Sequence, residues 1–155
     1  MHGFDMVSIV PLEYKYCEQV HEIAKECLPE AWSLDGIRDV LKYDNNIYYV
    51  AVDKSGQKVV GFGGIMIVAD EAELLNIAVT KSYRQLGIAG VVLNELMSDA
   101  EAHGGYRMLL EVREHKDTAG NFYVKNGFKK LGVRTNYYEN PVDNAVIMEK
   151  IFDKE

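Results

Sequence analysis

Only two cysteines, three prolines and one tryptophan occur in these 155 residues, and no apolar run approaches the roughly 20 residues needed to span a bilayer. Cys17 and Cys27 fall on one expected helix, a placement at odds with pairing, so the chain is no disulfide scaffold and a reducing, cytoplasmic setting is expected. The start, Met1-His2-Gly3-Phe4-Asp5, lacks a basic-then-apolar export pattern, and no membrane partner is expected. His2, His21, His103 and His115 show no ligand spacing and neither cysteine joins a metal motif, so no metal is expected either. Basic residues are the minority charge: 17 Lys and Arg against 24 Asp and Glu leave a formal net charge of −7. That balance argues against nucleic acid as a partner, because a basic face would supply much of the affinity. It favours a cationic substrate such as an amine, a protein N-terminus or a basic tail.

What is present suffices for one domain over residues 1–155, without repeats or linkers, long enough to bury about 70 % of its unfolded surface. A monomer is expected. Met6 to Leu12 reads as a first strand. Tyr16, Val20, Ile23, Ala24, Cys27 and Leu28 then recur at threes and fours, the mark of an amphipathic helix, which Pro29 ends. Ser33 can cap a second helix to about Tyr43, with Leu34, Ile37 and Leu41 inward. Ile47 to Val52 and Val59 to Val68 are β-rich runs joined by a turn at Lys54-Ser55-Gly56-Gln57, and Glu73 to Val79 supplies another strand. Ile88, Ala89, Val92, Leu93, Leu96, Met97 and Ala100 form a regular stripe that stops at Gly104-Gly105. A strand over Tyr106 to Val112, a short helix over Thr118 to Asn126 and strands over Phe128 to Tyr138 and Ala145 to Ile151 complete the order βααβββαβαββ. This order implies one mixed α/β sheet with helices on its faces.

Leu75-Asn76-Ile77-Ala78-Val79 followed by Arg84-Gln85-Leu86-Gly87-Ile88-Ala89 reads as strand, turn and glycine-opened helix. The first amides of a helix have no intrahelical acceptor and carry the positive end of its dipole, so such a turn can hold phosphates. A dinucleotide fingerprint would place an acid where Glu111 stands. Against it, Val92 occupies the third glycine position, Thr80 to Leu86 separate the strand from Gly87, and no further βαβ units follow.

The pattern Arg/Gln-x-x-Gly-x-Gly/Ala, met by Arg84, Gly87 and Ala89, resembles the pyrophosphate loop of the GCN5-related N-acetyltransferases. The resemblance covers nearly the whole chain through Glu30-Ala31-Trp32-Ser33, Asn76-Ile77-Ala78-Val79, Leu110-Glu111-Val112-Arg113, Phe122-Tyr123-Val124-Lys125-Asn126-Gly127-Phe128 and Asn136-Tyr137-Tyr138. Within that family the chain looks like the bacterial ribosomal-protein-alanine N-acetyltransferases. The resemblance implies acetyl-CoA as co-substrate and transfer of its acetyl group to an amine, foremost the N-terminal alanine of a ribosomal protein.

It also implies the site residues. Backbone amides from Gln85 through Leu86, Gly87, Ile88 and Ala89 to Gly90 would hold the pyrophosphate, with Arg84 opening the loop. Main-chain groups of Ile77, Ala78 and Val79 would pair with pantetheine, and the Val79 amide would face the thioester oxygen. Glu111, at the carboxyl end of its strand, would be the general base, acting directly or through a water. Tyr123 would be the acid that protonates the departing thiolate. Trp32, Asn136, Tyr137 and Tyr138 would line the substrate groove, although an extended backbone would send the two tyrosines to opposite faces. A terminal amine of pKa about 7.8 needs roughly 1 kcal/mol to be neutral at pH 7, and lysine about 4 to 5, so one base serves an N-terminus more readily.

Two positions depart from the family pattern. Lys116 stands where an asparagine usually helps to hold the cofactor, and Asp143-Asn144 replaces a Glu-Asp pair. A lysine, polyamine or small-molecule acetyltransferase, and a silent acyl-CoA sensor, are the alternatives.

Overall fold

The computed structural model describes residues 6–28, 32–115, 117–139 and 141–152. Seven strands, β1 (Val7–Pro11), β2 (Asn46–Asp53), β3 (Val59–Val68), β4 (Glu71–Val79), β5 (Arg107–Arg113), β6 (Lys129–Tyr138) and β7 (Asp143–Ile151), form one sheet in the order β1-β2-β3-β4-β5-β7-β6. Among the described residues only the β4–β5 pair is parallel; every other neighbour is antiparallel. Among the described residues four α-helices accompany them: α1 (Cys17–Cys27), α2 (Leu34–Asp39), α3 (Ile88–Ala102) and α4 (Asp117–Lys125). The expected mixed α/β order is therefore present.

The apolar stripes decide the layers. Val92, Leu93 and Leu96 of α3 are fully buried against Val60, Ile65, Leu74 and Met108, and Tyr123 of α4 joins the same core. On the opposite face Val20 and Ile23 of α1 and Ile37 of α2 pack on Val50 and Phe62. Among the described residues, that second cluster takes nothing from β5, β6 or β7. The half of the sheet carrying Leu109, Glu111 and Ile147 is thus left without a helix on this face, and those residues are only half-buried.

Ser33 caps α2 as its residue type predicts, accepting from the Gly36 amide at 3.0 Å. The helix is shorter than expected, however, because Val40–Lys42 tightens into a 3-10 turn. At three residues per turn Leu41 swings outward and is exposed, not inward. Cys17 and Cys27 are both free thiols.

The opening between β4 and β5 positions everything that follows. These strands pair only from Glu71↔Arg107 to Glu73↔Leu109. Arg107 rivets the paired end, bonding Glu71 and Glu149 at 2.8 Å each. Immediately beyond it, Gly64 pairs with Asn76 but Ile65 with Leu74, leaving Leu75 as a bulge that bends β4. Meanwhile β5 stays paired with β7 from Arg107↔Ile151 to Arg113↔Ala145 and leaves with it. The two parallel strands part toward their carboxyl ends, where α/β sheets place ligand crevices.

Candidate active site

The crevice has a volume of about 320 Å³, and its walls include Leu75, Ile77, Leu110, Glu111, Tyr123 and Tyr138. That is the small end of the range for ligand sites, of order 300–1,000 Å³, so a long ligand must extend beyond it.

One wall is a bare strand edge. The Thr80 amide donates to the Val60 carbonyl of β3. Because successive peptide groups alternate, Val79 and Ile77 direct their N–H and C=O groups away from β3, toward the crevice, at non-hydrogen-bonded pairs with Gly61 and Gly63. β5 has already departed at this level, so among the described residues the Ile77 groups and the Val79 amide have no partner strand and can meet an extended ligand, whereas the Val79 carbonyl already accepts from Arg84 Nε. Ala78, between them, faces the α1 side and is buried.

The helix start lies just past that edge. Arg84 fixes the turn, its Nε donating to the Val79 carbonyl at 3.0 Å and its guanidinium to Cys27 Sγ at 3.2 Å, with Glu26 at 3.6 Å. The Arg84 side chain thus ties the turn to β4 and α1. Gln85 and Gly87 both have left-handed backbones, with φ of 64° and 83°. The first bond of α3 runs from the Val91 amide to the Gly87 carbonyl. The earlier helical amides, Ile88 to Gly90, therefore have no intrahelical acceptor. A Cβ added at Gly87 or Gly90 would touch nothing within 4 Å, so the space before these amides is open to a phosphate.

Glu111 projects from β5 on the half of that face which no described helix covers. Across β7, Arg134 of β6 places its guanidinium 3.8 Å from the Glu111 carboxylate. Tyr137 lies beside the same carboxylate, which raises the phenol's pKa. Tyr137 reaches it because β6 bulges between Arg134↔Ala145 and Tyr138↔Asp143. There Asn136 takes φ 53°, its amide held by Asn144 Oδ1 at 2.8 Å. The bulge cancels the alternation expected of Tyr137 and Tyr138: their rings meet edge-on at 5.1 Å, and Tyr138 lines the crevice. Arg113, buried beneath, donates to the Glu139 and Pro141 carbonyls at 2.9 and 2.8 Å and lies 4.5 Å from the Tyr138 ring, tying the β6–β7 turn to β5.

Tyr123 closes the other side. Its ring packs edge-on against Phe128 at 5.7 Å, and burial pushes its pKa up to about 12. A phenol with that value keeps its proton throughout the physiological range. It is a weaker acid than an exposed tyrosine, and it yields its proton only to a base desolvated with it.

The sequence profile of the Acetyltransferase (GNAT) family matches residues 17–128, well over half the chain. The chain belongs to the GNAT family. It is 31 % identical over 135 residues to the [Ribosomal protein bS18]-alanine N-acetyltransferase of Haemophilus influenzae, covering 84 % of this chain and 89 % of that one. Its fold is similar to the crystal structure of the ribosomal-protein-S18-alanine N-acetyltransferase from Escherichia coli, with a TM-score of 0.86, 25 % identity and coverage of 97 % and 96 %. It is also similar to Ard1 from Thermoplasma volcanium, with a TM-score of 0.87, 27 % identity and coverage of 96 % and 99 %. As a GNAT enzyme it is an N-acetyltransferase.

This GNAT crevice gathers Ile77, Glu111, Tyr123 and Tyr138 in its walls. Tyr137 adjoins it through Glu111, whereas Asn136 is exposed on the bulge. Trp32 is not in the walls: it stacks at 5.8 Å on Tyr48 and 5.9 Å on Phe62, in the core beneath α2. Lys116 lies outside the described residues. Three residues beside this site escape sequence reasoning: Cys27, Leu28 and Arg134. Cys27 and Leu28 enter the crevice from the end of α1. Arg134 meets Glu111 only because two antiparallel pairings align them. Glu114, His115 and Asp143 bring one potential metal-ligand atom each within 4.8 Å. Both Asp143 oxygens already accept, from His115 Nδ1 and the amides of His115 and Asn144.

Proposed function

We propose that this enzyme acetylates the α-amino group of a protein N-terminus, foremost an alanine of a ribosomal protein, with acetyl-CoA as donor. It would act as one cytoplasmic domain over residues 1–155. The observation that carries the reading is the parting of β4 and β5, which opens a crevice walled by Ile77, Glu111 and Tyr123. The names of the relatives in Haemophilus influenzae and Escherichia coli support the substrate, since each is a ribosomal-protein alanine N-acetyltransferase.

The residues present fit the donor. Amides at the start of α3 hold the pyrophosphate without a side-chain cation, and the exposed edge of β4 pairs with the pantetheine amides. The Val79 amide donates to the thioester oxygen as charge builds there. Glu111 takes the proton of the attacking amine, directly or through a water. As the amine nitrogen bonds to the acetyl carbon and the C–S bond breaks, Tyr123 protonates the leaving sulfur. The α-amine fits this machinery because it gives up its proton for roughly 1 kcal/mol at pH 7, against about 4 to 5 for lysine.

The test uses paired peptides with an N-terminal alanine and an internal lysine, one with a free terminus and one blocked, incubated with acetyl-CoA and followed by mass. One acetyl group on the free peptide alone is expected. Acetylation of both would establish lysine as the target, and acetylation of neither would overturn the reading.

A further inference from the structure

A carboxylate is an awkward base for an amine. Standing beside an ammonium, it stabilises the charged form and holds in place the proton it must remove. The uncovered face around Glu111 compounds the difficulty, since Glu73 of β4 adds its charge near Tyr137. The other charged groups nearby are committed. Arg113 of β5 is spent on the Glu139 and Pro141 carbonyls, and Glu149 of β7 on Arg107. Tyr123 of α4 and Cys27 of α1, which share the crevice with Glu111, carry no positive charge to set against it. Arg134 of β6 places its guanidinium 3.8 Å from the carboxylate.

We infer that Arg134 sets the charge state of the bound amine: its guanidinium offsets the Glu111 carboxylate and so lets the amine lose its proton near neutral pH. The inference rests on Glu111 being the base. Arg134 acts through Glu111 and through the field at the amine, so it is a positioning residue and not a catalytic one. β6 is built to deliver it, because the Asn136 bulge turns Tyr137 onto the same carboxylate, and Arg134 stacks 5.6 Å from the Tyr137 ring.

Removing the charge should help an ammonium to bind and hinder its deprotonation. The side chain is 58 % exposed, so solvent screens it, and a shift of about half a unit to one unit in the pKa of the bound amine is the right scale. In Arg134→Gln, the acid limb of kcat against pH should move up by that amount. At pH 7 kcat should fall roughly three- to tenfold while the peptide KM falls as well, and above pH 9 kcat should return to the wild-type value. Arg134→Lys should restore the limb. A merely structural arginine would lower kcat equally at every pH and raise KM, and that result, or an unmoved limb, overturns the inference. The wild-type enzyme and Glu111→Gln are run alongside. Wild-type activity that survives Glu111→Gln removes the assigned base and with it this inference. A limb unmoved in Arg134→Gln while Glu111→Gln is inactive defeats the inference alone.

Discussion

Gly87→Ala separates the strain of a left-handed backbone from the binding that such a backbone permits. At φ 83° and ψ 7° an L-residue pays about 1–2 kcal/mol. No packing penalty adds to this, since the new Cβ meets nothing within 4 Å. With an unfolding entropy of about 2.1 cal/mol/K per residue, the melting temperature should fall by about 3–6 °C. The methyl group also enters the space before the first α3 amides. Loss of one charge-assisted hydrogen bond costs about 1.5–3 kcal/mol, which is about ten- to 150-fold in KM for acetyl-CoA. Gly56→Ala is the matched control: φ is 75°, its Cβ is equally unobstructed, and it lies in the β2–β3 turn. Differential scanning calorimetry and steady-state kinetics should show similar melting losses for both variants and a raised KM for Gly87→Ala alone. A Gly87→Ala enzyme whose KM matches that of Gly56→Ala would refute the assignment of this turn to the cofactor.

Glu111→Gln keeps size and shape but cannot accept the proton, so kcat should drop by about 10²- to 10⁴-fold with acetyl-CoA affinity by calorimetry unchanged. Tyr123→Phe preserves the contact with Phe128 and should slow turnover with little change in melting temperature; normal turnover would return Tyr123 to a packing role. Because burial holds the Tyr123 pKa near 12, no alkaline loss of kcat below about pH 10 should trace to its ionisation, and the wild-type and Tyr123→Phe profiles should share their alkaline limb. The hydrogen bond from His115 holds the Asp143 carboxyl below the usual range. A depressed carboxyl contributes stability above its unfolded pKa near 3.9 that is lost as pH falls through the folded value. Acid titration followed by circular dichroism should show that loss below about pH 4, and Asp143→Asn should flatten the curve there.

Local chemistry made much of this protein legible. The buried face of α3 was readable because Val92, Leu93, Leu96 and Ala100 recur at helical spacing, and a helix satisfies its backbone within itself. Ser33 as a cap and Gly87 at a left-handed position follow from single-residue preferences in the same way. Glu111 and Tyr123 were singled out by the motifs around them, and the fold sets both into one crevice.

Other features depend on pairings between segments distant in the chain, and no local pattern encodes them. The bulge at Leu75 exists only in the register of β4 against β3, yet it helps to part β4 from β5. Arg134 acquires its meaning two strands away from Glu111, and Tyr137 reaches that carboxylate only through the Asn136 bulge. Tryptophan at position 32 suited a groove or a core equally well until Tyr48 and Phe62 supplied a core for it. The sequence by itself determined the elements, the glycine-opened turn before α3 and the motif residues, because these rest on spacing along one chain segment. Tertiary structure alone decided where β4 is left without a partner strand, which half of one sheet face no described helix covers and which cation stands beside Glu111, because each is a relation between segments that only packing brings together.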